Sequence, residues 1–130
     1  MLMKLIWSPT SPFARKVRVA AIELGLSDRI ELATADLRPG KYDAAFARDV
    51  NPLRKLPALV TDDGDTLIDS LVICDYLDAL AGGGRLIPRG TTERARVLTA
   101  HTVASGMTDA LVLLRYETFL RPEELRWPVW

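Results

Sequence analysis

The chain has 130 residues, of which 48% are apolar, enough for one packed domain with a real core and room for part of another. Its 17 basic and 17 acidic residues cancel, so no overall positive field draws nucleic acid or an anionic membrane surface. A single cysteine, Cys74, and a single histidine, His101, exclude an internal disulfide and a cysteine-rich zinc pattern, which suits a reducing cytosol.

In chain order, Leu2-Met3-Lys4-Leu5-Ile6-Trp7 is a short apolar run stopped by Ser8-Pro9 and reads as a buried strand, too short for a secretory leader. From Pro12 to Leu24 the apolar residues Phe13, Val17, Ala20, Ala21 and Leu24 recur at helical spacing, and Gly25 suits the position after the C-cap. Ser11 is a good N-cap and Pro12 a good first helical residue, so a hydroxyl stands beside unpaired backbone N–H groups, a place that favours an anion. Ile30 to Ala33 alternates as a second strand. Arg38-Pro39-Gly40 is a turn, and a short helix is expected from Tyr42 to Ala47.

Asn51-Pro52 breaks the chain. Ala58 to Thr61 and Thr66 to Ile68 then read as a hairpin around Asp62-Asp63-Gly64-Asp65. Asp69-Ser70 precedes a helix from Leu71 to Leu80, ended by Gly82-Gly83-Gly84. This order, βαβα and then ββα, predicts a mixed four-stranded sheet in a compact α/β unit over residues 1–81. Residues 82–90 read as a linker, and residues 91–130 as the start of an all-helical part. The last helix runs to about Leu120, where Arg121-Pro122 stops it; its stripe, including Met107, Leu111 and Leu114, needs a partner surface. The ending Trp127-Pro128-Val129-Trp130 exposes two tryptophans and looks unfinished. Charges at Asp75 and Asp78, and polar residues in the last helix, argue against a membrane span and for a soluble cytoplasmic protein.

Three segments carry candidate chemistry: Ser8 to Val19, Asn51 to Leu59, and Asp69-Ser70. Taken singly, each is an ordinary cap or loop sequence; their order within one α/β pattern points to a ligand. Cys74, at an apolar helical position, reads as packing. His101 reads as a helix-surface or interface residue, and Arg15, Lys16 and Arg18 as a solvated helix face.

The element order is the thioredoxin-like plan, with Ser11-Pro12-Phe13-Ala14 where a redox relative has Cys-x-x-Cys, so thiol–disulfide exchange is excluded there. With Ser8-Pro9-Thr10-Ser11-Pro12-Phe13-Ala14-Arg15-Lys16-Val17-Arg18-Val19, Asn51-Pro52-Leu53-Arg54-Lys55-Leu56-Pro57-Ala58-Leu59 and Asp69-Ser70 in this order, the chain resembles the glutathione S-transferase family, bacterial serine type. A weaker match lies in the helix and tail from Thr91 to Trp127.

The resemblance implies that Ser11 is catalytic and stabilises the thiolate of glutathione. It also implies that Phe13, Lys55, Leu56, a cis Pro57, Asp69 and Ser70 hold the tripeptide, with Lys55 or Arg54 meeting its glycyl carboxylate. Glutathione is then a co-substrate, the partner is a small hydrophobic electrophile, no metal takes part, and the protein is a cytoplasmic homodimer serving detoxification. The alternatives within the resemblance are a glutathione-binding regulatory or interaction module without transferase activity, and a glutathione-dependent isomerase or dehalogenase.

Overall fold

The computed structural model describes residues 2–129, so Met1 and Trp130, at the ends of the expected first strand and tail, lie outside the described residues. Strand β1 (Met3–Trp7) is central. It pairs in parallel with β2 (Ile30–Thr34) and antiparallel with β3 (Ala58–Val60), which pairs antiparallel with β4 (Thr66–Ile68). The sheet order is therefore β2-β1-β3-β4, the expected mixed sheet. Alternation along β1 sends Met3 and Leu5, both fully buried, to one face. Helices α1 (Pro12–Glu23) and α3 (Ser70–Leu80) cover that face, bringing Val17, Ala20, Ala21, Ile73, Cys74 and Leu77 against Met3, Leu5 and Leu59.

Both helices stop and start where side chains and glycine dictate. After α1, Leu26 N–H reaches back to the Ala21 carbonyl at 2.8 Å and Gly25 N–H to the Ile22 carbonyl at 3.0 Å. This paired closure needs the positive φ of 71° that Gly25 takes. Helix α2 (Ala44–Asp49) begins later than the expected Tyr42, because the Asp43 carboxylate accepts the Phe46 N–H at 2.8 Å and so occupies the N-cap. Strand β3 ends at Val60 rather than Thr61: the Thr61 hydroxyl accepts from Asp65 N–H at 3.1 Å, which draws Thr61 into the hairpin turn.

The glycine-rich residues after α3 are pinned rather than loose. Asp78, only 2% exposed, accepts backbone N–H bonds from Gly84 (2.9 Å), Arg85 (3.0 Å), Leu86 (3.0 Å) and Ile87 (3.2 Å). Burial pushes this carboxyl up, but the four donors outweigh that, so its pKa falls below the ordinary 3.8.

Helix α4 (Thr91–Phe119) follows, with no buried residue and an outward stripe at Val103, Met107, Leu111 and Leu114. The expectation that no segment is apolar enough to span a membrane is corrected here. An 18-residue window of α4 has mean hydropathy 1.4, enough by length and composition alone. The charges are sparser than the polar count suggests: between Arg96 and Arg115, Asp109 is the one Asp, Glu, Lys or Arg. The hydroxyls of Thr99, Thr102 and Thr108 in this stretch donate to carbonyls four residues back, at 2.8–2.9 Å.

Replacing Asp78 with alanine strands four backbone donors and is expected to cost about 3 kcal/mol, read as a lower urea midpoint. Because the folded pKa is depressed, the carboxylate's contribution is complete well above pH 3.8 and is lost as pH falls through the folded value. The variant's stability should accordingly depend less on pH in the acid range than the parent's.

Candidate functional site

The register of the sheet gathers the candidate segments. Ile6 of β1, Ala58 of β3 and Ile68 of β4 lie in one row, and Ala33 of β2 completes it. The end of β1, the start of β3 and the ends of β2 and β4 therefore share one edge. From that edge emerge the loop to Ser11, the segment through Leu56 and Pro57, the pair Asp69-Ser70, and the connection from β2 to α2.

Ser11 is the N-cap of α1, in extended conformation, with its Oγ accepting from Ala14 N–H at 3.2 Å. Its O–H proton is thereby left available for another acceptor. Upstream, the Ser8 carbonyl accepts from Ser11 N–H at 3.1 Å, which closes the loop from β1. Phe13, half-buried in the first turn of α1, carries the Lys16 ammonium 5.9 Å from its ring centroid.

The Leu56-Pro57 bond is cis, as the resemblance implies, and Pro57 is buried against the start of β3 with Leu56 half-exposed. The residue that shapes this approach is Asn51, the first of the Asn51–Leu59 segment, to which the sequence assigns no role of its own. Asn51 is 2% exposed; its Nδ2 donates to the Lys55 carbonyl at 2.8 Å and its Oδ1 accepts from Leu53 N–H at 2.9 Å. The signal available in sequence is Asn ahead of Pro, a residue able to bond its own backbone two positions on. Arg54, at φ 54°, lays its guanidinium 4.4 Å from the Tyr42 ring centroid and donates to the Lys41 carbonyl at 3.2 Å. Of the two cations considered for a terminal carboxylate, Arg54 is thus engaged with the loop before α2, while the Lys55 side chain is exposed.

Asp69 caps α3, accepting from Leu71 N–H at 2.7 Å, and holds a positive φ of 69°, unusual for a residue with a side chain. Ser70 beside it is buried, at 4% exposure. The starts of α1 and α3, each with free N–H groups and the positive end of a helix dipole, stand at the same sheet edge. Among the described residues no cluster of three His, Cys, Asp or Glu side chains is close enough to hold a metal ion.

One reading of the basic face is corrected: Lys16 is half-buried, with its Nζ 2.6 Å from Nε2 of His101 on α4, because α4 lies beside α1 there, which helical periodicity alone does not reveal. Arg15 and Arg18 are exposed as expected, Arg18 with its guanidinium 4.4 Å from the Trp7 ring centroid. Burial pushes the Lys16 ammonium down, opposed by the charges of Cys74 and Asp69. Burial likewise lowers the pKa of His101, helped by the Lys16 charge and opposed by Asp69. Cys74 is buried as expected, and burial raises its thiol pKa.

A four-stranded mixed sheet with α1 and α3 on one face, a serine-capped α1 and a cis-proline loop define a thioredoxin-like fold of the glutathione S-transferase kind. Residues 10–80 match the family model for the N-terminal domain of glutathione S-transferases, and the chain belongs to that family. The uncharacterized GST-like protein YibF of Escherichia coli is 34% identical over 108 residues, which are 83% of this chain and 51% of YibF. A probable maleylacetoacetate isomerase of Drosophila melanogaster is 30% identical over 81 residues, 62% of this chain and 32% of that protein. A glutathione transferase family member from Pseudomonas fluorescens, crystallised with bound glutathione, superposes with TM-score 0.91 at 46% identity, covering 98% of this chain and 62% of that one. The chain thus spans about half, or less, of these curated relatives' length.

Asn51→Ala removes both loop bonds from a buried position and is expected to lower stability by about 2 kcal/mol in chemical denaturation. A loss below about 0.5 kcal/mol would show that the loop before β3 holds its shape without this side chain.

Proposed function

We propose that the protein is a glutathione transferase, in which Ser11 stabilises the glutathione thiolate for attack on a small hydrophobic electrophile. The observation that carries this reading is the bound glutathione of the Pseudomonas fluorescens relative, which shares 46% identity with this chain at TM-score 0.91. A thiol of pKa about 8.5 is only a few per cent ionised at neutral pH, and the thiolate is the nucleophile. Lowering that pKa by about two units requires roughly 2.7 kcal/mol. A hydrogen bond to an ionised group contributes about 1.5–3 kcal/mol and a helix start about 0.3–1 kcal/mol, so one Ser11 hydroxyl at the start of α1 suffices.

The thiolate sulfur forms a bond to the electrophilic carbon while the leaving group departs with its electron pair. Ser11 donates its proton only as a hydrogen bond and is never itself acylated or alkylated. Leu56, turned by the cis Pro57, offers backbone N–H and C=O to the extended tripeptide as an added strand would. Asp69 receives the γ-glutamyl ammonium, Ser70 and the start of α3 its carboxylate, Lys55 the glycyl carboxylate, and Phe13 flanks the cysteinyl part. The same reading places the protein in the cytoplasm as a homodimer.

A second reading uses the same site: glutathione-dependent isomerisation, favoured by the 30% identity to the probable maleylacetoacetate isomerase. There the thiolate adds to a carbon–carbon double bond, the resulting single bond rotates, and the sulfur leaves with its electron pair. Glutathione is regenerated.

Calorimetric titration of glutathione into the chain, with thiolate absorbance followed against pH, tests the proposal. The parent should bind and lower the thiol pKa. Ser11→Ala should raise the bound thiol pKa by about one to two units with affinity changed less than about threefold. Absence of binding by the parent overturns both readings. Binding with an unshifted thiol pKa overturns the role of Ser11. Conjugation of an aryl halide supports the transferase, and turnover of a cis-enedione without consumption of glutathione supports the isomerase.

A further inference from the structure

Lys16 on α1 and His101 on α4 meet at 2.6 Å, nitrogen to nitrogen, with the Ser105 hydroxyl 3.4 Å from the same Nε2. Two protonated nitrogens cannot share such a bond, so one of them must be neutral and accept. An imidazole gives up its proton about four pH units below an amine, which makes His101 the acceptor and Lys16 the donor at neutral pH. Adding a proton to Nε2 replaces this hydrogen bond by two cations in contact.

The position of the bond gives that change leverage. Among the described residues, two polar contacts join α4 to the α/β unit: Lys16 with His101, and Arg94 with Asp75 of α3 at 3.3 Å. Arg94 lies near the start of α4, shortly after the residues 84–87 that the Asp78 carboxylate pins. His101 is seven residues further on, about 10 Å along the axis. Helix α4 buries no residue of its own. Around these two contacts, Val97 and Leu98 face Val19 and Leu71 across an apolar crevice of about 240 Å³, which Cys74 of α3 also lines. Towards its other end the helix faces the Pro39–Gly40 turn across a wider groove of about 810 Å³. The bond to Lys16 is thus the outer of two fasteners, and the pinned residues before α4 form the pivot.

We propose that the Lys16–His101 bond is an acid-sensitive fastener: protonation of His101 breaks it, and α4 swings away from α1 about the Arg94–Asp75 contact, widening both crevices and uncovering Cys74. The groups around His101 set the direction of the response. From α1 come the Lys16 ammonium and, seven residues on, Glu23 at the same crevice. From α3 come the Cys74 thiol and the Asp69 carboxylate, while Asp75 is engaged by Arg94. On α4 itself the neighbour is the uncharged Ser105. Burial and the Lys16 charge hold the imidazole below its ordinary 6.5, opposed by Asp69. The fastened state is therefore complete above pH 6.5 and is lost as pH falls through the depressed folded value. The proposal does not rest on the glutathione reading.

The chain has one histidine and one cysteine, so both readouts are unambiguous. An NMR titration of the His101 ring should give a midpoint below 6.5. Cys74 is 7% exposed. Its rate of modification by 4,4′-dithiodipyridine, taken relative to the unfolded chain at the same pH, should rise about five- to tenfold as pH falls through that midpoint. Far-ultraviolet circular dichroism should stay constant over the same range, because α4 swings as an intact helix. His101→Arg, a fixed cation, should react fast at every pH, whereas His101→Gln keeps an acceptor that does not titrate and should stay slow. Lys16→Met should react fast at neutral pH and move the His101 midpoint up towards 6.5. Equal protection of Cys74 on both sides of the His101 midpoint, a midpoint at or above 6.5, or a parallel loss of helix overturns the proposal. The unmodified chain supplies each of these three results, so the test stands even if a variant does not fold.

Discussion

The register between β1 and its two neighbours is the constraint on which the rest depends. β1 runs parallel to β2 and antiparallel to β3, and the row Ala33, Ile6, Ala58, Ile68 aligns the ends of all four strands. A slip of one residue would turn Met3 and Leu5 away from α1 and α3 and expose the core to water. The same slip would separate the serine-capped loop from the cis-proline loop. Burial of Met3, Leu5 and Leu59 thus fixes the site's geometry as well as the stability of the fold.

That edge is electrostatically mixed. Two helix starts place free N–H groups and positive dipole ends beside each other, while Asp69 sets one carboxylate among them. The glutathione reading proposed above rests on that mixture, since the tripeptide carries an ammonium, carboxylates and an ionisable thiol along an extended backbone. Asn51 and Asp78 act at a distance from that edge by similar means. Each is a buried polar side chain whose hydrogen bonds go to backbone atoms of a loop, one shaping residues 51–55 and the other residues 84–87. A buried group of this kind tolerates little change, because losing it leaves backbone donors without partners.

Much of the α/β unit was legible because its signals are local. The Asp62–Asp65 turn, the apolar spacing of α1 and the glycine after it each follow from one stretch of chain. The start of α2 was not, since Tyr42 and Asp43 are both acceptable near a helix start and the cap bond to Phe46 decided between them. Lys16 was misread as solvated because a helical wheel shows which residues share a face, not what covers it. The apolar weight of α4 was legible and underestimated: Asp109 is the one Asp, Glu, Lys or Arg between Arg96 and Arg115.

The sequence by itself determined the element order, the hairpin, the capping of α1 by Ser11 and the three segments that carry candidate chemistry, since each rests on contacts between near neighbours in the chain. Only the tertiary structure decided that those segments share one sheet edge, that Asn51 holds the cis-proline loop, that Asp78 binds the glycine-rich turn, and that Lys16 meets His101 across 85 positions. The reason is physical: the strand pairings and the Lys16–His101 bond join residues far apart in the chain, chosen by burial and register, while Asn51 and Asp78 reach only two to nine positions along it and find their backbone partners because the packed fold buries both side chains.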